Sequence, residues 1–198
     1  METYNLFKYR IARTNCEDKS IYKNDTLVKS LDLFFSDEGL SNRLEDSNGE
    51  VLSSFGVKNF SVLTLPGIDK FLEWHKEKAL SVSEFFGHRN ATDIEFVNSW
   101  VNKVFENASG DVHFHENISH VVSTFYPVVS TDNSADLVVV NEGLDHSKLE
   151  LYSSDNISYQ NVKEGDCLFM DVITPHGITR HSNKDPRITF VFEFKYIG

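Results

Sequence analysis

From Ile94 onward the chain swaps faces one residue at a time. Ile94, Phe96, Asn98, Trp100, Asn102 and Val104 alternate with Glu95, Val97, Ser99, Val101 and Lys103, a period of two that a strand sustains and a helix does not. Shorter segments of strand character follow at Asp111–His115, Ser119–Val128, Ala135–Asn141, Lys148–Ser153, Ile157–Val162, Asp166–Val172, Gly177–His181 and Arg187–Tyr196. Turn residues such as Asp132-Asn133-Ser134 and Glu164-Gly165-Asp166 separate them. Many short strands after a helical beginning predict an all-β core with flanking helices, a β-sandwich or barrel with the helices packed on one side.

The helical beginning is read from spacing. Leu27, Leu31 and Phe34 recur at helical intervals over Asp25–Phe35. Phe71, Leu72, His75, Ala79, Val82, Phe85 and Phe86 form an apolar stripe over Ile68–Phe86, after the Pro66-Gly67 start and before Gly87-His88-Arg89-Asn90. Ser36–Gly56, rich in Ser, Asp, Asn and Gly, reads as loop, and Tyr4–Ile11 as a short apolar start. A chain of 198 residues fits one domain, with residues 1–93 as helical and loop support for a β core over residues 94–198.

Composition narrows the function. The net charge of −11 argues against broad nucleic-acid or anionic-membrane binding, because both need a basic surface. Cys16 and Cys167 stand far apart, in neither a disulfide framework nor a thiolate zinc pattern. Without a signal-peptide pattern or a long apolar run, a cytoplasmic location is expected. A homodimer is compatible with all of this.

Of the eight histidines, His113, His115 and His120 fall within eight residues. On a strand His113 and His115 share a face with Asp111, while Val112 and Phe114 take the other. Two imidazoles side by side on a rigid strand suit a late transition metal. A third candidate, His176, stands in Pro175-His176-Gly177, and Arg187-Ile188-Thr189 opens the last strand. There Phe190, Phe192 and Phe194 share one face, and Arg187 and Thr189 the other, able to point jointly into a cavity. A guanidinium fork with a hydroxyl is a natural holder of a carboxylate.

Together these residues resemble the iron(II)- and 2-oxoglutarate-dependent oxygenases, in which an eight-stranded jelly-roll carries a His-x-Asp/Glu pair and a distal His, with an Arg-x-Ser/Thr for the far carboxylate of 2-oxoglutarate. More narrowly, the order Ser41-Asn42, Trp100-Val101-Asn102, His113-Phe114-His115, Ser123, Phe125-Tyr126, His176 and Arg187 is similar to a phage-type oxygenase family. The resemblance implies a double-stranded β-helix with N-terminal helices on one sheet, iron(II) as metal, and 2-oxoglutarate and O2 as cosubstrates. It also implies Arg187 with Thr189 or Tyr126 at the distal carboxylate, Trp100, Asn102 and Ser123 near the pocket, and oxidation of a C–H bond in an unidentified substrate.

One departure bears on the ligand set. Position +2 from His113 is His115, where the superfamily has a carboxylate. Three sets stay open: His113, His115 and His176; one in which Asp111 supplies the carboxylate; and one in which Glu116 swings in at a bulge. The first is favoured. His75 is expected in the core, His88 at the surface, His120 in a solvated loop or behind the site, and His181 in a polar turn. A cupin-like metal protein without 2-oxoglutarate is the main rival, and a non-enzymatic jelly-roll binding module or virion component is the third reading.

Overall fold

In the computed structural model, residues 1–36, 42–43, 47–115, 118–129, 134–141 and 156–198 are described. The expected strand Lys148–Ser153, the turn residues Asp132 and Asn133, and Ser41, Glu116 and Asn117 lie outside them. The elements run β1 (Glu2–Leu6), β2 (Tyr9–Asn15), α1 (Asp25–Ser36), β3 (Asn42–Arg43), β4 (Ser47–Asn48), β5 (Val51–Ser53), α2 (Asp69–Ser81), β6 (Asp93–Val104), β7 (Ser109–His113), β8 (Val121–Val128), β9 (Leu137–Val140), β10 (Ile157–Gln160), β11 (Asp166–Asp171), β12 (His176–Ile178) and β13 (Arg187–Ile197). No helix among the described residues is long and apolar enough to cross a membrane.

Two antiparallel sheets form, the larger in the order β1-β2-β11-β8-β13-β6-β5-β3 and the smaller β10-β9-β12-β7-β4. This is the sandwich expected from the strand pattern, in the jelly-roll arrangement that the resemblance implies, with both helices on the outer face of the large sheet. The N-terminal third supplies more than support. β1 and β2 pair onto β11, and β5 pairs onto β6 inside the stretch expected to be loop, so strands from residues 1–93 carry both ends of the large sheet. Their alternation was masked in the sequence because β5 is too short to display a period.

Alternation on the large sheet decides what faces what. Phe125, Phe169, Phe190, Phe192 and Phe194 point to α1 and α2, joining Leu27, Leu31, Phe34, Phe71 and Ala79 in one core. Trp100, Tyr126, Leu168, Met170 and Val191 point the other way, between the sheets. Each buried Phe contributes on the order of 1.5–3 kcal/mol, so the aromatic outer core holds the helices against the sheet and leaves the inter-sheet space to be shaped by fewer, more polar side chains.

α1 begins where Asn24 accepts from the Leu27 amide at 3.0 Å, and the same side chain donates to the Gly67 carbonyl at 2.8 Å. Gly67 sits at φ +85°, and a Cβ there would lie 2.5 Å from the Asn24 side-chain oxygen, so the start of α2 and the cap of α1 depend on this glycine. α2 ends at Ser81 rather than Phe86; the residues after it continue as turns.

His75, expected in the core, is fully buried, and its Nε2 meets the Ser123 hydroxyl at 2.7 Å. Burial pushes its pKa down to about 3. The fold therefore holds His75 neutral where the unfolded chain would take a proton. Its contribution to stability is complete above pH 6.5 and is lost as the pH falls toward 3, at about 1.4 kcal/mol per pH unit. In His75→Gln this loss disappears, so denaturant unfolding at pH 7 and pH 5 should show the gap between wild type and variant closing by about 2 kcal/mol. An unchanged gap would assign the acid sensitivity to other groups.

Cys16 and Cys167 are both free thiols and buried.

Candidate metal centre

β7 and β12 are neighbours in the small sheet, and their register places His176 directly opposite His113. The strands come unusually close: a Cβ on Gly177 would lie 3.0 Å from the Gly110 carbonyl oxygen and 3.1 Å from that of Asp111. Gly177 thus permits the approach that sets the two imidazoles side by side. Just beyond the end of β7, the His115 amide donates to the Val172 carbonyl at 3.1 Å, which turns the third ring toward the other two.

Ligand nitrogens of His113, His115 and His176 all lie within 4.8 Å of one another. The ring centroids of His113 and His176 are 4.7 Å apart, and those of His115 and His176 are 5.2 Å apart with the rings nearly parallel. In each ring Nδ1 faces an acceptor: the Asp111 carbonyl at 3.0 Å for His113, the Glu193 carboxylate at 2.5 Å for His115, and the Thr174 carbonyl at 2.8 Å for His176. These acceptors put the proton on Nδ1 and leave Nε2 with its lone pair.

The Nε2 atoms of His115 and His176 approach to 3.4 Å. Two nitrogens bonded to one ion at about 2.0–2.1 Å, at a tetrahedral angle, would be about 3.3 Å apart. Lone pairs facing each other at that range repel unless a cation lies between them. Burial pulls the pKa of His176 well below its ordinary value, and the neighbouring His113 and His115 pull it further. The neutral ring is the form that binds metal.

A cavity of about 540 Å³ opens beside the three rings. Asp111 lines it, yet its carboxylate is not among the converging atoms; its carbonyl holds His113 instead. Glu116 is outside the described residues. Trp100 and Asn102 line the cavity, as the resemblance implied, Trp100 with its ring 5.7 Å from that of His115 and Asn102 accepting from Ser53 at 2.5 Å. Ser123 does not: it faces α2 and bonds His75 on the opposite side of β8, while its neighbours Thr124 and Tyr126 take the cavity side.

Arg187 and Thr189 do share the cavity face. Arg187 is 1% exposed, its Nη1 donates to the Ala135 carbonyl at 2.6 Å, and its guanidinium lies 5.4 Å over the Tyr126 ring. Its Nε and the Thr189 hydroxyl are buried without a hydrogen-bond partner, and among the described residues no carboxylate forms a salt bridge with Arg187, the Asp136 charge acting on it only from a distance. Burial lowers its pKa from the ordinary guanidinium value. A buried cation with idle donors beside it is an electrostatic deficit that an anion would fill.

One of the remaining histidines departs from its expected place. His181 is fully buried rather than in a polar turn; it accepts from the Ala135 amide at 3.2 Å and donates to the Asp185 carbonyl at 2.8 Å. It therefore braces the segment whose carbonyl holds Arg187. His88 and His120 are half-buried and stack at 4.2 Å, with His120 accepting from the Tyr196 amide, away from the three-histidine group. Glu193 was missed altogether. The sequence held one signal for it: a lone acid in an aromatic strand, at the same parity as Arg187 and Thr189.

No family model matches the sequence, and no curated protein matches it. Solved structures do match the fold. An oxidoreductase of the 2OG-Fe(II) oxygenase family from Burkholderia pseudomallei superposes with a TM-score of 0.61 at 8% identity, over 93% of this chain and 85% of that one. A Pseudomonas putida prolyl-4-hydroxylase gives 0.56 at 11% identity, over 95% and 93%. The non-heme alpha-ketoglutarate-dependent epimerase SnoN of nogalamycin biosynthesis gives 0.65 at 13% identity, over 94% and 76%. At these identities the likeness establishes the jelly-roll fold.

Proposed function

We propose that this chain is an iron(II)- and 2-oxoglutarate-dependent oxygenase acting on a substrate yet to be identified. The observation that carries the reading is the pairing, in one cavity, of three Nε2 lone pairs held toward a common point with a buried arginine that forms no salt bridge among the described residues. The neighbours' shared dependence on iron and 2-oxoglutarate supports it. Three imidazoles suit iron(II), and equally zinc or another late divalent ion.

His113, His115 and His176 would hold the metal, and Arg187, with Thr189 and Tyr126, would grip the distal carboxylate of 2-oxoglutarate. The guanidinium offers parallel donors, and the unpartnered Thr189 hydroxyl adds another. Bound iron(II) supplies activation of O2 at the expense of 2-oxoglutarate, whose oxidative decarboxylation is coupled to oxidation of a substrate C–H bond. Trp100, packed against His115, keeps bulk water from that side, and Asn98 and Asn102 offer amide groups to the incoming substrate.

A cupin-like protein that dispenses with 2-oxoglutarate would share the imidazoles but would have no use for a buried arginine with an idle Nε on the cavity wall. Under air, with iron(II) and 2-oxoglutarate, the protein should release succinate and CO2 in equal amounts, slowly without substrate and not at all with excess chelator. Metal binding with no calorimetric binding of 2-oxoglutarate would return the assignment to the rival.

A further inference from the structure

Building on the metal-site reading, we infer that Glu193 is a positioning residue that supplies, through His115, the negative charge missing from the ligand set. Its carboxylate is 3% exposed and meets His115 Nδ1 at 2.5 Å. β13 presents it on the cavity face by the same alternation that presents Arg187, Thr189 and Val191. The residue two places after His113, where a carboxylate would bind metal directly, is His115; the nearest buried carboxylate stands one imidazole further out.

This displacement has a physical consequence. Three neutral ligands leave a divalent ion its full charge inside a cavity that also holds the buried Arg187 cation. A carboxylate on Nδ1–H polarises the imidazole, strengthens Nε2 as a donor and fixes the ring so that Nε2 faces the other two. Glu193 therefore offsets the charge from behind the ligand set, while His115 fills the position that a direct carboxylate would take.

The test reads metal affinity, with zinc(II) and anaerobic iron(II) competed against a chromophoric chelator. Glu193→Gln, which keeps an acceptor and drops the charge, should weaken binding about tenfold, and Glu193→Leu, which drops both, about 100-fold. Cobalt(II) absorption should change in both. Apo-protein thermal stability should be unchanged or raised in Glu193→Gln, because a buried carboxylate has been removed. A parallel drop in apo stability would mean that Glu193 serves only packing, and would overturn the inference. The decisive comparison is in the background of His115→Asp, where a carboxylate binds directly and Glu193 faces like charge. There Glu193→Gln should hold or raise the affinity, reversing its sign. An equal loss in both backgrounds, or none in wild type, would overturn the positioning role alone. A wild type that binds neither metal would bring down the metal-site reading with it.

Discussion

His176→Ala should weaken divalent-metal binding by more than about 100-fold. Loss of an outer-shell partner already costs 10–100-fold, and here one of three direct ligands goes. His176 is the best-placed of the three: it is 4% exposed, it stands opposite His113 across the β7–β12 pair, and its Nδ1 is fixed by the Thr174 carbonyl. With it removed, the two remaining rings project from one short stretch of chain, with no third direction from which to enclose an ion. Chelator competition with zinc(II) measures the effect. His176→Gln, which fills the same space in the sheet, controls for folding. Full metal occupancy in both variants would remove His176 from the ligand set.

Arg187→Met should separate cosubstrate binding from apo-protein stability. Removing one partner of a buried charge pair costs about 2–5 kcal/mol, so 2-oxoglutarate should bind about 30- to 4,000-fold more weakly to the metal-loaded protein. The apo protein should lose little stability, because the desolvation cost of the buried cation goes with the bond that Arg187 gives the Ala135 carbonyl. In wild type, 2-oxoglutarate at 100 times its Kd should add about 2.7 kcal/mol of stability, a rise in Tm of about 5–10 °C for a chain of this size. The variant should show none of that rise while keeping its metal affinity. Undiminished 2-oxoglutarate affinity in calorimetry would move the carboxylate site elsewhere on the cavity wall.

The two variants probe opposite ends of one cavity, and the contrast between the ends is informative. At the metal end every Nδ1 has its acceptor, so the rings are oriented before any ion arrives. At the arginine end the Arg187 Nε and the Thr189 hydroxyl lack hydrogen-bond partners. The first end is complete in protein terms, whereas the second awaits a ligand. Pre-oriented rings and idle buried donors suit the proposed order of binding, metal first and a dicarboxylate afterwards.

Much of this was legible before folding. A period of two from Ile94 to Val104, and again from Arg187 to Tyr196, determined strands there, because alternation is a local property of extended backbone. The same rule put Arg187 and Thr189 on one face of β13 and the phenylalanines on the other, which the two cores bear out. It would also have put Ser123 on the face of Phe125, away from Tyr126, and so with His75. Other features depended on which strands meet. His181 looked like a turn residue because nothing near it in sequence buries it; Ala135 and Asp185 do so in space. β1 and β2 became part of the large sheet only because β11, some 150 residues later, offers them an edge. Glu193 is the sharpest case. Its parity was readable from the strand, but its partner His115 lies 78 residues earlier, and a hydrogen bond between two sheets is set by their packing, which no local pattern encodes.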